Sequence, residues 1–170
     1  YGLNALDESP LAFEGLEDWR FVLAIDFGWD HRTAFTVGGW HKNDPVLYEF
    51  ESYAEEEMLL DAMGARVKMY KDQYPRLRIV ADPDGKREFG ELTRRFGLVI
   101  DAAEKSNKPF WINLYNTELR AGRIKFVNPE GSPHVAEMLS HPWTSSRSGE
   151  LVRTQREELV EQIAIAVSIP

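Results

Sequence analysis

At 170 residues, 43% hydrophobic and 28% charged, the chain is long enough for one domain with its own core. It has no cysteine, which excludes disulfides and thiolate metal sites. No apolar run reaches the roughly 18 residues of a membrane span, and the N-terminus lacks a basic-then-apolar signal, so the chain reads as soluble. The net charge of −8 repels nucleic acid on average. Charge is unevenly spread, however: residues 86–125 hold nine basic against five acidic side chains, leaving −12 on the remainder. A basic middle inside an acidic chain can face a polyanion, or be no more than solvated helix faces.

Residues 1–18 are acidic, broken by Pro10 and Gly15, and read as a linker arm, leaving 19–170 as the domain. The chain starts at Tyr1 without an initiating Met, and reads as a piece of a longer one. Three strands are predicted over 20–26, 33–40 and 46–53, with Gly38-Gly39 and Lys42–Pro45 supplying hairpin-turn composition. A long helix is predicted over 54–74, because Met58, Leu59, Ala62, Met63, Val67 and Tyr70 recur at helical spacing before Pro75. Then follow a buried strand at 77–81, a helix at 86–96 stopped by Gly97, a strand at 98–102, and a helix at 108–121 closed by Gly122. A strand at 124–127, a helix at 133–139 and a last helix at 154–167 complete the pattern. Antiparallel strands followed by helix-strand alternation predict an α/β fold, a mixed sheet covered by helices.

Two of the predicted strands end on acids, Asp26 after Phe21–Ile25 and Asp82 after Leu77–Ala81. A carboxylate at the end of a buried strand is costly unless a metal, a hydrogen bond or water receives it. The bland reading is that both are turn residues, since Asp82-Pro-Asp84-Gly85 is itself a strong turn sequence. In an open α/β sheet, ligands gather outside the carboxyl ends of strands. If these two strands are parallel neighbours, their acids face one crevice. Converging carboxylates without cysteine suit Mg²⁺ or Mn²⁺. Two such ions, about 3.5–4 Å apart, are the machinery of phosphodiester cleavage.

The motifs, taken in order, resemble those of a known family. Ala24-Ile-Asp26-Phe-Gly28-Trp with Thr33-Ala34, Val80-Ala-Asp82-Pro-Asp-Gly85, Ala103-Glu104-Lys105, and Ile112…Leu119-Arg-Ala-Gly122-Arg-Ile124-Lys look like the nuclease domain of a bacteriophage terminase large subunit. The resemblance covers residues 20–143. It implies a ribonuclease H-like fold and a metal-dependent endonuclease, with two Mg²⁺ or Mn²⁺ ions, that cuts concatemeric double-stranded DNA during packaging. It also implies an ATPase motor domain in the same full-length chain, portal and small terminase subunit as partners, and the host cytoplasm as location. No Gly-rich Walker-type loop occurs here, so the motor is not part of this sequence.

Carried over by residue, Asp26 and Asp82 match the first two metal-binding acids, and Lys105 a basic position after the fifth strand. The family usually ends with Asn-His, two residues, Asp-Ala and an aromatic. This chain has Glu158-Leu-Val-Glu161-Gln-Ile-Ala there, so Glu161 stands in for the last Asp and Glu158 lies one turn earlier. Both also fit as solvated helix acids. Asp30 and Asp84 are possible auxiliary ligands or turn residues. Lys105, Lys108, Arg120 and Arg123 are expected to face DNA near the strand ends. His31, His41, His134 and His141 show no ligand spacing and read as surface or loop residues. Trp29, Trp40, Trp111 and Trp143 read as packing residues.

Two other classes of function stay open. Asp26-Phe-Gly28…Thr33 also resembles the first phosphate loop of actin- and sugar-kinase-like ATPases. A catalytically weak or inactive nuclease fold could instead serve as a docking domain of the packaging motor.

Overall fold

The computed structural model describes residues 4–11, 15–28, 32–83, 85–103 and 106–140. Among the described residues, seven strands form one sheet: β1 (Ala5–Leu6), β2 (Trp19–Asp26), β3 (Arg32–His41), β4 (Leu47–Glu56), β5 (Arg78–Ala81), β6 (Asp101–Ala102) and β7 (Ile124–Val127). Their spatial order is β1-β7-β4-β3-β2-β5-β6. Only β3 runs against its neighbours; β1–β7, β4–β7, β2–β5 and β5–β6 are all parallel. This is the mixed α/β sheet that the order of elements predicts. Four helices connect and cover it: α1 (Leu60–Gln73), α2 (Lys86–Phe96), α3 (Lys108–Arg120) and α4 (Pro133–Ser140).

The near-continuous apolar run of β2 follows from burial on both faces, as expected for a central strand of such a sheet. Phe21, Leu23 and Ile25 point into a core with Phe35, Val37, Met63, Val67, Tyr70 and Leu92, under α1 and α2. Ala24 faces the opposite layer with Leu47, Ile124, Phe126 and Tyr115 of α3, against which Val135 and Met138 of α4 pack. Each fully buried large side chain contributes about 1.5–3 kcal/mol from removal of apolar surface from water.

Several boundaries depart from the sequence pattern. β4 continues to Glu56, through the first residues of the predicted long helix, because Ala54, Glu55 and Glu56 pair with Ala34, Thr33 and Arg32 of β3. Glu57 takes a positive φ of 52° and helix α1 starts only at Leu60, leaving Leu59 71% exposed. Cross-strand pairing here overrides helical periodicity. Gly38 and Gly39 are not in a turn but inside β3. A Cβ on Gly39 would lie 2.8 Å from the Phe21 ring and 2.9 Å from the Arg20 carbonyl, so the aromatic packing needs glycine there. Leu98 and Ile100 are buried, yet only Asp101–Ala102 pair as a strand. Within the acidic stretch before residue 18, Ala5–Leu6 pairs in parallel with Phe126–Val127 and forms a sheet edge.

Candidate active site

The parallel pairing of β2 with β5 sets Ile25 opposite Ala81, and both side chains enter the same core. The next residues, Asp26 and Asp82, therefore leave the sheet together at its carboxyl edge. The Asp82 amide donates to the Ile25 carbonyl at 3.4 Å, while the Ala103 amide donates to the Ala81 carbonyl at 2.9 Å. Neighbouring strands lie about 4.8 Å apart, so two aspartates at one register can serve the same pair of metal ions. Asp82 is 5% exposed and Asp26 half-buried. Both line a cleft of about 890 Å³.

The rest of the cleft is built from loops at that same end. Phe27 and Gly28 extend β2, while Met58, Leu60 and Met63, at and just before the start of α1, make an apolar wall. Gly85 caps α2 at the point where the Phe27 ring crosses it; a Cβ there would fall 2.4 Å from a ring carbon. This close approach locks the segment after β2 to the turn after β5, on either side of the carboxylates. Arg87, Glu88, Glu91 and Arg95, all on α2, complete the described lining. Glu91 is held by Arg94 at 2.7 Å, and that guanidinium keeps its carboxyl below the usual range. Arg95 pairs with Asp61 at 3.2 Å. Arg87 is exposed.

The donor set, oxygen only and without thiolate, suits a hard divalent cation. Among the described residues, no three acidic or histidine side chains converge closely enough to hold one. Asp84, Lys105, Glu158 and Glu161, like Asp30, lie outside the described residues. Lys108 is the first residue of α3, which starts beyond the carboxyl end of β6, at the same edge of the sheet as the cleft but leading into the opposite layer.

Arg120 and Arg123 are not brought to the carboxylates. Helix α3 has 13 residues, about 20 Å at 1.5 Å per residue, and carries the chain back along the sheet. Arg123 therefore precedes β7, where its carbonyl accepts the amide of Leu47, the first residue of β4. That is the opposite pole of the sheet. There the Arg123 guanidinium grips Glu118 through two bonds, Nη2 to Oε1 at 2.7 Å and Nε to Oε2, drawing the Glu118 carboxyl below its ordinary range. The expectation that these two arginines flank the strand ends fails because nearness in sequence is undone by one helix.

In the phosphate-loop reading, the two ends of the segment, Gly28 and Thr33, are bonded to each other. The Gly28 amide donates to Thr33 Oγ1 at 3.3 Å, and the Thr33 hydroxyl donates to the Gly28 carbonyl at 3.0 Å. A phosphate would have to compete for that amide.

His134 is not a surface residue but is 2% exposed, with Nδ1 2.5 Å from Glu49 Oε2. Ser132 Oγ lies 3.5 Å from the other Glu49 oxygen, and the His134 amide donates to Ser52 Oγ at 3.3 Å. This buried pair clasps α4 to β4. Its partners are 85 residues apart, and no local motif announces it. Trp40 packs on the second core layer, and the Trp111 indole donates to the Ser106 carbonyl at 3.1 Å.

Among the described residues, a seven-stranded mixed sheet flanked by helices gives the chain a ribonuclease H-like α/β fold. No family model and no curated protein sequence matches the chain. Solved structures do. The large terminase of a thermophilic bacteriophage superposes with a TM-score of 0.76 at 14% identity, over 98% of this chain and 41% of that one. The P22 large terminase nuclease domain gives 0.73 at 17% identity, over 97% and 86%. The large terminase nuclease domain of bacteriophage SPP1, solved with bound Mn, gives 0.66 at 17% identity, over 96% and 94%. The chain carries the fold of large-terminase nuclease domains and spans about two fifths of the thermophilic phage's terminase.

Proposed function

We propose that this chain is the metal-dependent endonuclease domain of a viral DNA-packaging terminase, which cuts concatemeric double-stranded DNA by two-metal phosphodiester hydrolysis. The observation that carries this reading is the placement of Asp26 and Asp82 side by side over one cleft. Asp26 and Asp82 would hold two Mg²⁺ or Mn²⁺ ions, with Glu161 and Asp84 as further oxygen donors. When bound, such ions polarise a phosphoryl oxygen and lower the pKa of water. Asp82, buried at a strand end, is a fixed point of that set. Asp26 faces it from the adjacent strand. The wall of Met58, Leu60 and Phe27 thins the water around the reacting phosphate and strengthens every charge interaction beside it. Lys105 and Lys108 remain proposed DNA contacts; Arg120 and Arg123 do not. The motor domain of the full-length chain, the portal, the small terminase subunit and the host cytoplasm follow as its setting.

Plasmid nicking tests the reading directly. Cleavage is expected with Mn²⁺ or Mg²⁺, none with EDTA, and none in Asp26→Asn. Absence of cleavage under every divalent ion would overturn it. Glu161→Gln should also lose cleavage; parental cutting by that variant would move the third-donor role to Asp84 or Glu158. The competing reading is a catalytically weak or inactive docking domain of the motor. DNA binding with no cutting in Mn²⁺ would select it.

A further inference from the structure

Carboxylates and metal ions place a scissile phosphate but do not by themselves hold the rest of the strand. Before any ion binds, the described lining carries four acids, Asp26, Asp82, Glu88 and Glu91, against two arginines. Such a surface repels DNA unless a cation on its rim is free to meet a phosphate. On α2, Arg94 is engaged by Glu91 and Arg95 by Asp61. Arg87 differs: it lines the cleft, is exposed, and forms no ion pair among the described residues. Its neighbour Glu88 also lines the cleft, but adjacent helical residues do not face each other, and no ion pair joins the two. Glu91, one turn on, is bonded to Arg94, and of the three arginines that lower its carboxyl Arg87 is the weakest influence.

We propose that Arg87 is the phosphate anchor of the site, holding a DNA backbone phosphate that flanks the scissile one. This rests on the nuclease reading above and names the strand contact that it lacks. A guanidinium meets a phosphate through two parallel N–H donors, a geometry lysine cannot reproduce. Among the described residues Arg87 has no ion pair to break first. It lies five residues after Asp82, in the first turn of α2, and both residues line the same cleft.

The test compares Arg87→Gln, Arg87→Lys and, as a control from the opposite pole, Arg120→Gln. Duplex DNA binding is read by fluorescence anisotropy in EDTA across a salt series, and cleavage by steady-state kinetics in Mn²⁺. Arg87→Gln should raise Kd and KM about tenfold, with a change of less than about twofold in kcat. It should also flatten the slope of log Kd against log salt by about one unit. Arg87→Lys should recover the salt slope but only part of the affinity. Arg120→Gln should match the parent, and Mn²⁺-induced thermal stabilisation should be unchanged in all three. Parental affinity and salt slope in Arg87→Gln, from a protein that cuts DNA, would overturn the anchor and leave the nuclease reading standing. A parent that never cuts but binds DNA in an Arg87-dependent way would keep the anchor and overturn the nuclease. A parent that neither binds nor cuts would overturn both.

Discussion

At the carboxyl ends of β2 and β5, Asp26 and Asp82 open on a cleft whose rim bears an exposed Arg87. At the other end of the same sheet, Arg123 is folded back onto Glu118 and offers little net charge to a partner. Both arginines belong to one basic stretch of sequence. The contrast teaches that the sign of a segment says little about which charges a ligand can use. Paired cations neutralise themselves, and an α-helix of 13 residues moves its two ends to opposite poles.

The largest expected effect lies at the cleft. Asp26→Asn, and separately Asp82→Asn, should lower cleavage by about a thousandfold or more, on the order of 4 kcal/mol of lost transition-state stabilisation. Both should also abolish the rise in Tm on adding Mn²⁺. If either variant keeps both responses, the cleft end is not the chemical end.

A second substitution breaks the fold without touching the cleft. His134→Ala leaves the buried Glu49 carboxylate without its imidazole and should cost about 3–5 kcal/mol in urea unfolding. Cleavage per folded molecule should stay near the parent's. A stability loss under about 1 kcal/mol would show that the pair is not what fastens α4.

Gly85→Ala sharpens the comparison within the cleft, because the new methyl must displace the Phe27 ring. Overpacking of this kind costs about 1–3 kcal/mol. The displacement should also weaken the Mn²⁺-induced shift in Tm, which the equivalent Gly90→Ala, on an open face of α2, should not.

The smallest effect is at the opposite pole. Arg123 lowers the Glu118 carboxyl, and a depressed acid stabilises the fold above its unfolded value and loses that contribution as pH falls through the folded one. Arg123→Gln should therefore lower stability at pH 7 by less than about 1 kcal/mol, since the pair is partly exposed. The gap between the two proteins should close as pH drops below the ordinary glutamate value of 4.5. DNA affinity should not change beyond about twofold, as expected for a cation already paired.

The sheet's parallel half and its acids were legible in the chain because the signals are local. The run from Phe21 to Ile25 stops on Asp26, Leu77 to Ala81 stops on Asp82, and a helical crossover between them is enough to make the strands parallel neighbours. Helices 86–96 and 108–120 declare themselves by periodicity and by the glycines that end them. Other features depend on partners far away in sequence, and no local pattern carries them. Residues 54–56 are a strand because β3 pairs with them, Gly39 lies in a strand because Phe21 and Phe50 need its space, and His134 is buried because Glu49 waits 85 residues earlier. Burial and chain stops are short-range properties, so the strands and the acids that end them could be read from the residues alone. Which arginines share their end of the sheet depends on the direction in which each helix returns the chain, and that emerges only on folding.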